Sequence, residues 1–223
     1  MALTKTRLKN VIFDFDGTLI DSSRDVKRIL FETVNKYGAN LSSSKGIKLG
    51  PPMFQMIQSV APQFSDEKIE KVLVDYAQAY ADDPLDETIP FDGVVEMLET
   101  LKRNDIGVFI ATYKPKELAV DSLNKFFKGL FIDAVTPSEI ENFEQGKTKS
   151  DIINLIVKCW GISIEDSIMV GDACTDISCA KVLGMDAVGV LYGYGDSSEF
   201  DDADYVAKSV SELNRCLLGL IKG

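Results

Sequence analysis

The feature that most constrains this 223-residue sequence is an apolar run that ends in two carboxylates separated by one residue. Residues 11–19 read Val-Ile-Phe-Asp-Phe-Asp-Gly-Thr-Leu, and the apolar residues before Asp14 are typical of a parallel strand covered on both faces. A lone Asp-Gly pair would indicate only a turn, but the fuller pattern Asp-x-Asp-Gly-Thr favours a functional role for these residues. Because open α/β sheets bind ligands at the carboxyl ends of their strands, Asp14 and Asp16 are predicted to lie at such an edge.

Composition excludes several kinds of catalytic site and partner. The chain has no histidine, which excludes Ser-His-Asp triads and imidazole zinc sites, and its four cysteines form no Cys-x-x-Cys pair. The formal charge of −11 would repel a nucleic-acid backbone, so no nucleic-acid partner is expected. Any acid or base must then be a carboxylate. A divalent cation would offset the repulsion between clustered aspartates and a phosphorylated substrate.

The sequence also predicts where the protein works. No window is apolar for long enough to span a bilayer, so no membrane partner is expected. Residues 1–9 lack the apolar centre of a secretory signal, which predicts a cytoplasmic protein. The oligomeric state has no signature in the sequence.

Hydrophobic periodicity predicts an α/β fold with an all-α insertion. Apolar residues recur at helical spacing in residues 22–37 and 66–80, with a shorter stripe in residues 53–60. After Pro84 and Pro90, strand and helix patterns alternate, which predicts a Rossmann-like parallel sheet. We therefore expect an α/β catalytic core of residues 1–17 and 88–223 and a helical insertion of residues 18–87.

Further polar residues follow the predicted strands of the core. Thr112 comes directly after the apolar segment 106–111, where its hydroxyl could bind a phosphate oxygen or cap the next helix. Asp172 follows Gly171 after another apolar segment and is predicted to complete a metal site with Asp14, since hard divalent ions prefer oxygen ligands. Asp176 could orient that site or cap the helix that it begins.

Lysines near predicted helix starts are candidates for phosphate contacts. Lys147 and Lys149 come just before the predicted helix 150–160, near an end where a cation is electrostatically unfavourable. That conflict favours a functional role, and either lysine qualifies by position. Lys114, in contrast, is interpreted as a solvated surface charge.

These residues together resemble the haloacid dehalogenase superfamily, specifically its phosphatase branch with a helical cap inserted after the first strand. The resemblance covers nearly the whole chain and also includes Gly-Pro-Pro-Met at residues 50–53, which is similar to the cap loop of phosphoglycolate-phosphatase-like members. Of the two lysines, Lys149 is preferred for the third motif. The four motifs, in the order of the family, are Asp14-Phe15-Asp16-Gly17-Thr18, then Thr112, then Lys147 or Lys149, then Gly171-Asp172 with Asp176.

The resemblance implies a Mg²⁺-dependent phosphatase acting on a small phosphorylated metabolite. Asp14 would attack phosphorus to give an aspartyl-phosphate, and Asp16 would protonate the leaving oxygen. Family dehalogenases lack the second aspartate, which favours a phosphatase. The expected substrate resembles phosphoglycolate, although other phosphomonoesters, nucleotides and pyrophosphate remain open. The expected metal-binding acids are Asp14, Asp16, Asp172 and Asp176.

Two alternatives remain at this stage. A phosphomutase similar to β-phosphoglucomutase resembles this chain in its motifs and cap, and differs in passing the phosphoryl group to a second sugar hydroxyl. A catalytically inert protein of the same fold could instead bind or regulate a partner. The release of inorganic phosphate separates the phosphatase from both.

Overall fold

The computed structural model describes residues 8–141 and 147–222, so most of the segment used for the secretory-signal prediction lies outside the described residues. The chain divides into two compact units. Asp21–Ile89 form one, called here the helical unit, and Met1–Ile20 with Pro90–Gly223 form the other, called the sheet unit. The insertion predicted at 18–87 overlaps the helical unit but begins three residues earlier and ends two residues earlier.

The strands are short and follow the apolar segments of the sequence. Six of them form a parallel sheet in the order β5-β4-β1-β6-β7-β8, which confirms the predicted α/β fold class with a Rossmann-like parallel sheet. Their bounds are β1 (Asn10–Phe13), β2 (Ile20–Asp21), β3 (Ile89–Pro90), β4 (Gly107–Ala111), β5 (Asp133–Val135), β6 (Ser167–Gly171), β7 (Asp186–Val190) and β8 (Tyr205–Ala207).

Helices of the sheet unit alternate with its strands, as the periodicity predicts. None of the helices in the described ranges is long and apolar enough to cross a bilayer. The helices of the helical unit are α1 (Ser23–Lys36), α2 (Met53–Val60) and α3 (Asp66–Asp82). Those of the sheet unit are α4 (Val94–Arg103), α5 (Lys116–Phe126), α6 (Lys149–Trp160), α7 (Cys174–Val182) and α8 (Val210–Lys222).

The central strand β1 is buried on both faces because its residues alternate between two hydrophobic clusters. Val11 and Phe13 belong to one cluster and Ile12 to the other, and all three side chains are fully buried. In register, Phe13 pairs with Ile110 of β4 and with Val170 of β6. The residues that follow these three strands therefore meet at one edge of the sheet.

The helical unit contains a buried acid that connects its first helix to its last segment. Asp25 of α1 is fully buried and accepts hydrogen bonds from the Thr88 hydroxyl and from Arg28, each at 2.8 Å. Arg28 also donates to both carboxylate oxygens of Asp83 at 2.9 Å. A buried carboxylate is tolerated only when it is paired in this way.

We expect Asp25→Ala to lower the free energy of unfolding by about 2–3 kcal/mol, because it removes charge-assisted hydrogen bonds and leaves the buried Thr88 hydroxyl unpaired. Urea unfolding measures the change. The matched control is Asp75→Ala in the same unit, since Asp75 is exposed and accepts a hydrogen bond from Tyr37. That variant should lose less than about 1 kcal/mol. Equal losses would contradict a special role for the buried acid.

Candidate active site

Three carboxylates converge at the carboxyl ends of the central strands. Asp14 follows β1, Asp172 follows β6, and Asp176 lies in the first turn of α7. Each offers an oxygen that lies within 4.8 Å of the other two, and all three side chains are buried. The register of β1 and β6 brings these acids together across more than 150 residues of sequence. They form what we call the acid cluster.

The Lys149 ammonium lies inside the acid cluster. Its Nζ is 2.8 Å from Asp14 Oδ1 and 2.5 Å from Asp176 Oδ1, and its side chain is only 2% exposed. Burial alone would lower the pKa of Lys149, but the charges of Asp14 and Asp176 raise it above the usual range of a lysine. Lys149 therefore remains a cation in the folded protein.

The start of α6 explains why Lys149, and not Lys147, reaches the cluster. Thr148 is the residue before the helix, and its backbone N–H donates to Asp151 at 2.8 Å. The next backbone N–H, that of Lys149, donates to the Tyr113 hydroxyl at 2.8 Å. Lys147 is exposed and lies 3.6 Å from Asp151 in an ion pair. The two candidate lysines thus occupy different environments, one in the site and one at the surface.

Asp172 is fixed by contacts from two loops. Its Oδ1 accepts a hydrogen bond from the Thr18 hydroxyl at 3.3 Å, and its Oδ2 accepts one from the Tyr194 backbone N–H at 2.7 Å. Gly17 adopts a φ of +86°, and a Cβ there would overlap the Asp172 carboxylate. A Cβ at Gly193 would overlap the same side chain. Glycine is therefore required on both sides of this acid.

Burial and the mutual repulsion of the carboxylates make the ionised acid cluster unfavourable without a further cation. Burial raises the pKa of Asp14 well above its usual range, and Asp176 and Asp172 add to the effect while Lys149 opposes it. Burial likewise raises the pKa of Asp172 to about 6, although its bond from Tyr194 acts in the other direction. Three carboxylates face one ammonium, and their oxygens are the ligands that hard divalent ions prefer. The cluster could therefore hold a divalent metal ion.

Asp16 differs from the other acids that the sequence predicts for the metal. Its carboxylate pairs with Lys114, whose Nζ donates to Oδ1 at 3.0 Å and to Oδ2 at 3.3 Å. The interpretation of Lys114 as a solvated surface charge is wrong, because its side chain is only 3% exposed. A signal was present in the sequence: Lys114 directly precedes Pro115 at a helix start, the same unfavourable placement that made Lys147 and Lys149 candidates.

Thr112 and Asp176 have defined hydrogen bonds in the site. Thr112 is buried, and its hydroxyl accepts a hydrogen bond from the Lys114 backbone N–H at 3.0 Å. Helix α5 begins only at Lys116, so this hydroxyl fixes the turn before the helix and does not cap it. Asp176 Oδ2 accepts from the Ala173 backbone N–H at 3.1 Å, which is the capping role that the sequence allowed, while Oδ1 binds Lys149.

The loop after β7 is a part of the site that the sequence analysis does not single out. Tyr194 provides the N–H bound to Asp172, and the Tyr192 hydroxyl donates to the Thr18 backbone oxygen at 3.2 Å. The available signal was the alternation Tyr-Gly-Tyr-Gly at residues 192–195, since closely spaced glycines mark close backbone approach.

Known proteins resemble this chain over most of its length. The sequence model of the haloacid dehalogenase-like hydrolases matches residues 11–190. A 5′-nucleotidase of Pseudomonas aeruginosa is 26% identical over 86% of this chain and 87% of its own length. A phosphoglycolate phosphatase 1 of the same species is 28% identical over 85% of this chain and 72% of its own.

Two further matches cover nearly complete chains. Pyrophosphatase PpaX of Halalkalibacterium halodurans is 27% identical over 92% of this chain and 95% of its own length. The crystal structure of a predicted phosphatase from Clostridium acetobutylicum superposes with a TM-score of 0.83 at 26% identity, and the match covers 96% of this chain and 100% of the other. These similarities extend over both the sheet unit and the helical unit.

We expect Asp172→Asn to gain stability over the wild type as pH rises in metal-free buffer. A folded pKa of about 6, above the unfolded value of 3.8, means that the wild-type folded state binds more protons than the unfolded state, so its stability falls as pH rises through this range. Asparagine does not titrate, and its amide can still accept from Tyr194 and donate to Thr18.

Urea unfolding in EDTA tests this expectation. The difference in unfolding free energy between variant and wild type should grow by about 1 kcal/mol from roughly pH 5 to roughly pH 7.5. Asp201→Asn, at an exposed position, controls for the loss of one surface charge. A difference that stays constant or shrinks with pH would show that folding does not raise the pKa of Asp172.

Proposed function

The chain belongs to the haloacid dehalogenase-like hydrolases, and we propose that it is a magnesium-dependent phosphatase that hydrolyses a small phosphomonoester through an aspartyl-phosphate on Asp14. The observation that carries the proposal is the acid cluster around Lys149 at the carboxyl ends of the parallel strands. The phosphatase names of the relatives support the same reaction class.

Asp14 is the nucleophile in this proposal. Lys149 binds Oδ1, and we assign the attack on phosphorus to Oδ2. The bond to the leaving oxygen breaks as the bond to Asp14 forms, and water then hydrolyses the resulting acyl phosphate. Dividing one displacement into two steps in this way is the usual benefit of covalent catalysis.

Asp16 is the proton carrier. It lies two residues beyond Asp14, and its side chain is 28% exposed, so it can meet a substrate oxygen. In the first step it gives a proton to the departing alkoxide, and in the second it takes one from the attacking water. A chain without histidine needs a carboxylate for this task.

The phosphoryl oxygens need positive charge and hydrogen-bond donors. We assign these roles to the Lys149 ammonium and the Thr112 hydroxyl, which stabilise charge as it moves from the entering to the leaving oxygen. Asp14, Asp172 and Asp176 would hold a divalent cation, which fits their buried oxygens and their raised pKa values. That cation would supply charge neutralisation for the substrate dianion and the developing transition state.

We assign the helical unit as the cap domain of this family, and expect it to carry the residues that choose the leaving group. Relatives named for phosphoglycolate, nucleotide and pyrophosphate hydrolysis indicate three classes of candidate. A screen of phosphorylated metabolites with Mg²⁺, ranked by kcat/KM, tests phosphoglycolate against the others.

We expect Asp14→Asn to abolish phosphate release, because the amide cannot form the acyl phosphate, and Asp16→Asn to lower turnover of alkyl phosphates by about 10²- to 10⁴-fold. Release of inorganic phosphate from the best substrate, with Mg²⁺ and with EDTA, measures both. The wild type should be active only with the metal. Wild-type rates in either variant would exclude the mechanism.

The same assay separates the alternatives. A phosphomutase would convert a hexose phosphate into its isomer with little free phosphate, and an inert protein would release none from any substrate. The fold similarity to a β-phosphoglucomutase-like structure of Bacteroides vulgatus, at 18% identity, carries no preference for that activity.

We expect Lys149→Met to lower kcat/KM by about 10²- to 10³-fold, because a donor to the phosphoryl oxygens is lost from a buried site. Lys147→Met is the matched control, since it removes a lysine two residues away that is 44% exposed, and it should keep near wild-type activity. Thermal unfolding of each variant establishes that it folds. A large loss in the Lys147 variant with none in the Lys149 variant would reverse the assignment.

A further inference from the structure

We propose that Lys114 is a positioning residue that holds the Asp16 carboxylate in the orientation needed for proton transfer to the leaving group. The proposal rests on the proposed phosphatase function and adds a second lysine with a task different from that of Lys149. Neither the motifs of the sequence nor the acid cluster accounts for a buried lysine at this place.

The contact between Lys114 and Asp16 is close and involves the whole carboxylate. The Lys114 Nζ lies 3.0 Å from Asp16 Oδ1 and 3.3 Å from Oδ2. In the ionised form, contacts to both oxygens restrict the torsion of the Asp16 carboxylate. When one oxygen carries the proton for the leaving group, the other can still accept from the ammonium. The Lys114 side chain is 3% exposed and the Asp16 side chain is 28% exposed, so Asp16, and not Lys114, is accessible to solvent.

The lysine is itself fixed by its surroundings. The Thr112 hydroxyl accepts a hydrogen bond from the Lys114 backbone N–H at 3.0 Å, which sets the direction of the chain after β4. The Lys114 ammonium also lies 5.9 Å from the ring centroid of Phe15, which is fully buried next to β1. The contact therefore joins the ends of two paired strands, and the position of Asp16 depends on both.

Orientation of this kind matters most when the leaving group needs a proton. A proton donor acts only within hydrogen-bond distance of its acceptor, and a displacement of about 1 Å can cost about 100-fold in rate. An alkoxide requires that proton, whereas p-nitrophenolate departs without one. Loss of the Lys114 contact should therefore affect the two kinds of substrate unequally.

The test compares kcat/KM of Lys114→Met and wild type on p-nitrophenyl phosphate and on the best alkyl phosphate, both with saturating Mg²⁺. This parameter reports the steps up to departure of the leaving group, so the later hydrolysis of the acyl phosphate does not obscure it. We expect a loss of about 10- to 100-fold on the alkyl phosphate and less than about 3-fold on the nitrophenyl ester.

Two further variants make the comparison specific. Lys116→Met makes the same change two residues along, where the lysine is 48% exposed and pairs with Glu139 at 3.0 Å, and it should leave both substrates unaffected. The double variant Lys114→Met with Asp16→Asn should be no slower on the alkyl phosphate than Asp16→Asn alone, because a positioning residue acts only through its partner.

Thermal unfolding checks that each variant folds. If Lys114→Met does not fold, the same two substrates are compared with Lys114→Gln, whose amide can donate one hydrogen bond to Asp16. We then expect a smaller loss of kcat/KM on the alkyl phosphate. Equal losses on both substrates, or a further loss in the double variant, would overturn the proposal and indicate that Lys114 contacts the substrate itself. A wild type that hydrolyses neither substrate would refute the phosphatase function instead, a result distinct from unequal or equal losses in the variants.

Discussion

The burial of the Lys149 ammonium between Asp14 and Asp176 is the interaction on which the rest of the site depends. A lysine without counter-charges could not remain charged in an interior that exposes only 2% of its side chain. The ammonium in turn offsets part of the repulsion between the two carboxylates. These contacts connect the end of β1 to the first turns of α6 and α7.

The parallel sheet explains why the sequence could predict at which edge the main acids lie. Successive strands of such a sheet end on one edge, so an acid found directly after an apolar run can be placed without knowing any contact. Asp14, Thr112 and Asp172 all follow this rule, and the register of β1 with β4 and β6 brings them together. The fold class could be predicted for the same reason, because alternating strand and helix patterns allow few other arrangements.

Residues whose roles depend on side-chain direction could not be predicted in this way. Lys147 and Lys149 are two positions apart at a helix start, and only the exact first residue of α6 decides which of them is buried. Lys114 pairs with an acid 98 residues earlier in the chain, and local pattern carries no information about such a partner. The hydrogen bond from the Tyr194 backbone to Asp172 could not be predicted either, because it depends on the conformation of the loop after β7.

The glycines around Asp172 have a consequence for how selectivity can change in this protein. Gly17 and Gly193 place bare main chain against the acid on two sides, and neither position has room for even a methyl group. A larger residue at either position would displace the Asp172 side chain. Substitutions that change what this part of the molecule binds therefore have to come at other positions, while the main chain around Asp172 stays the same.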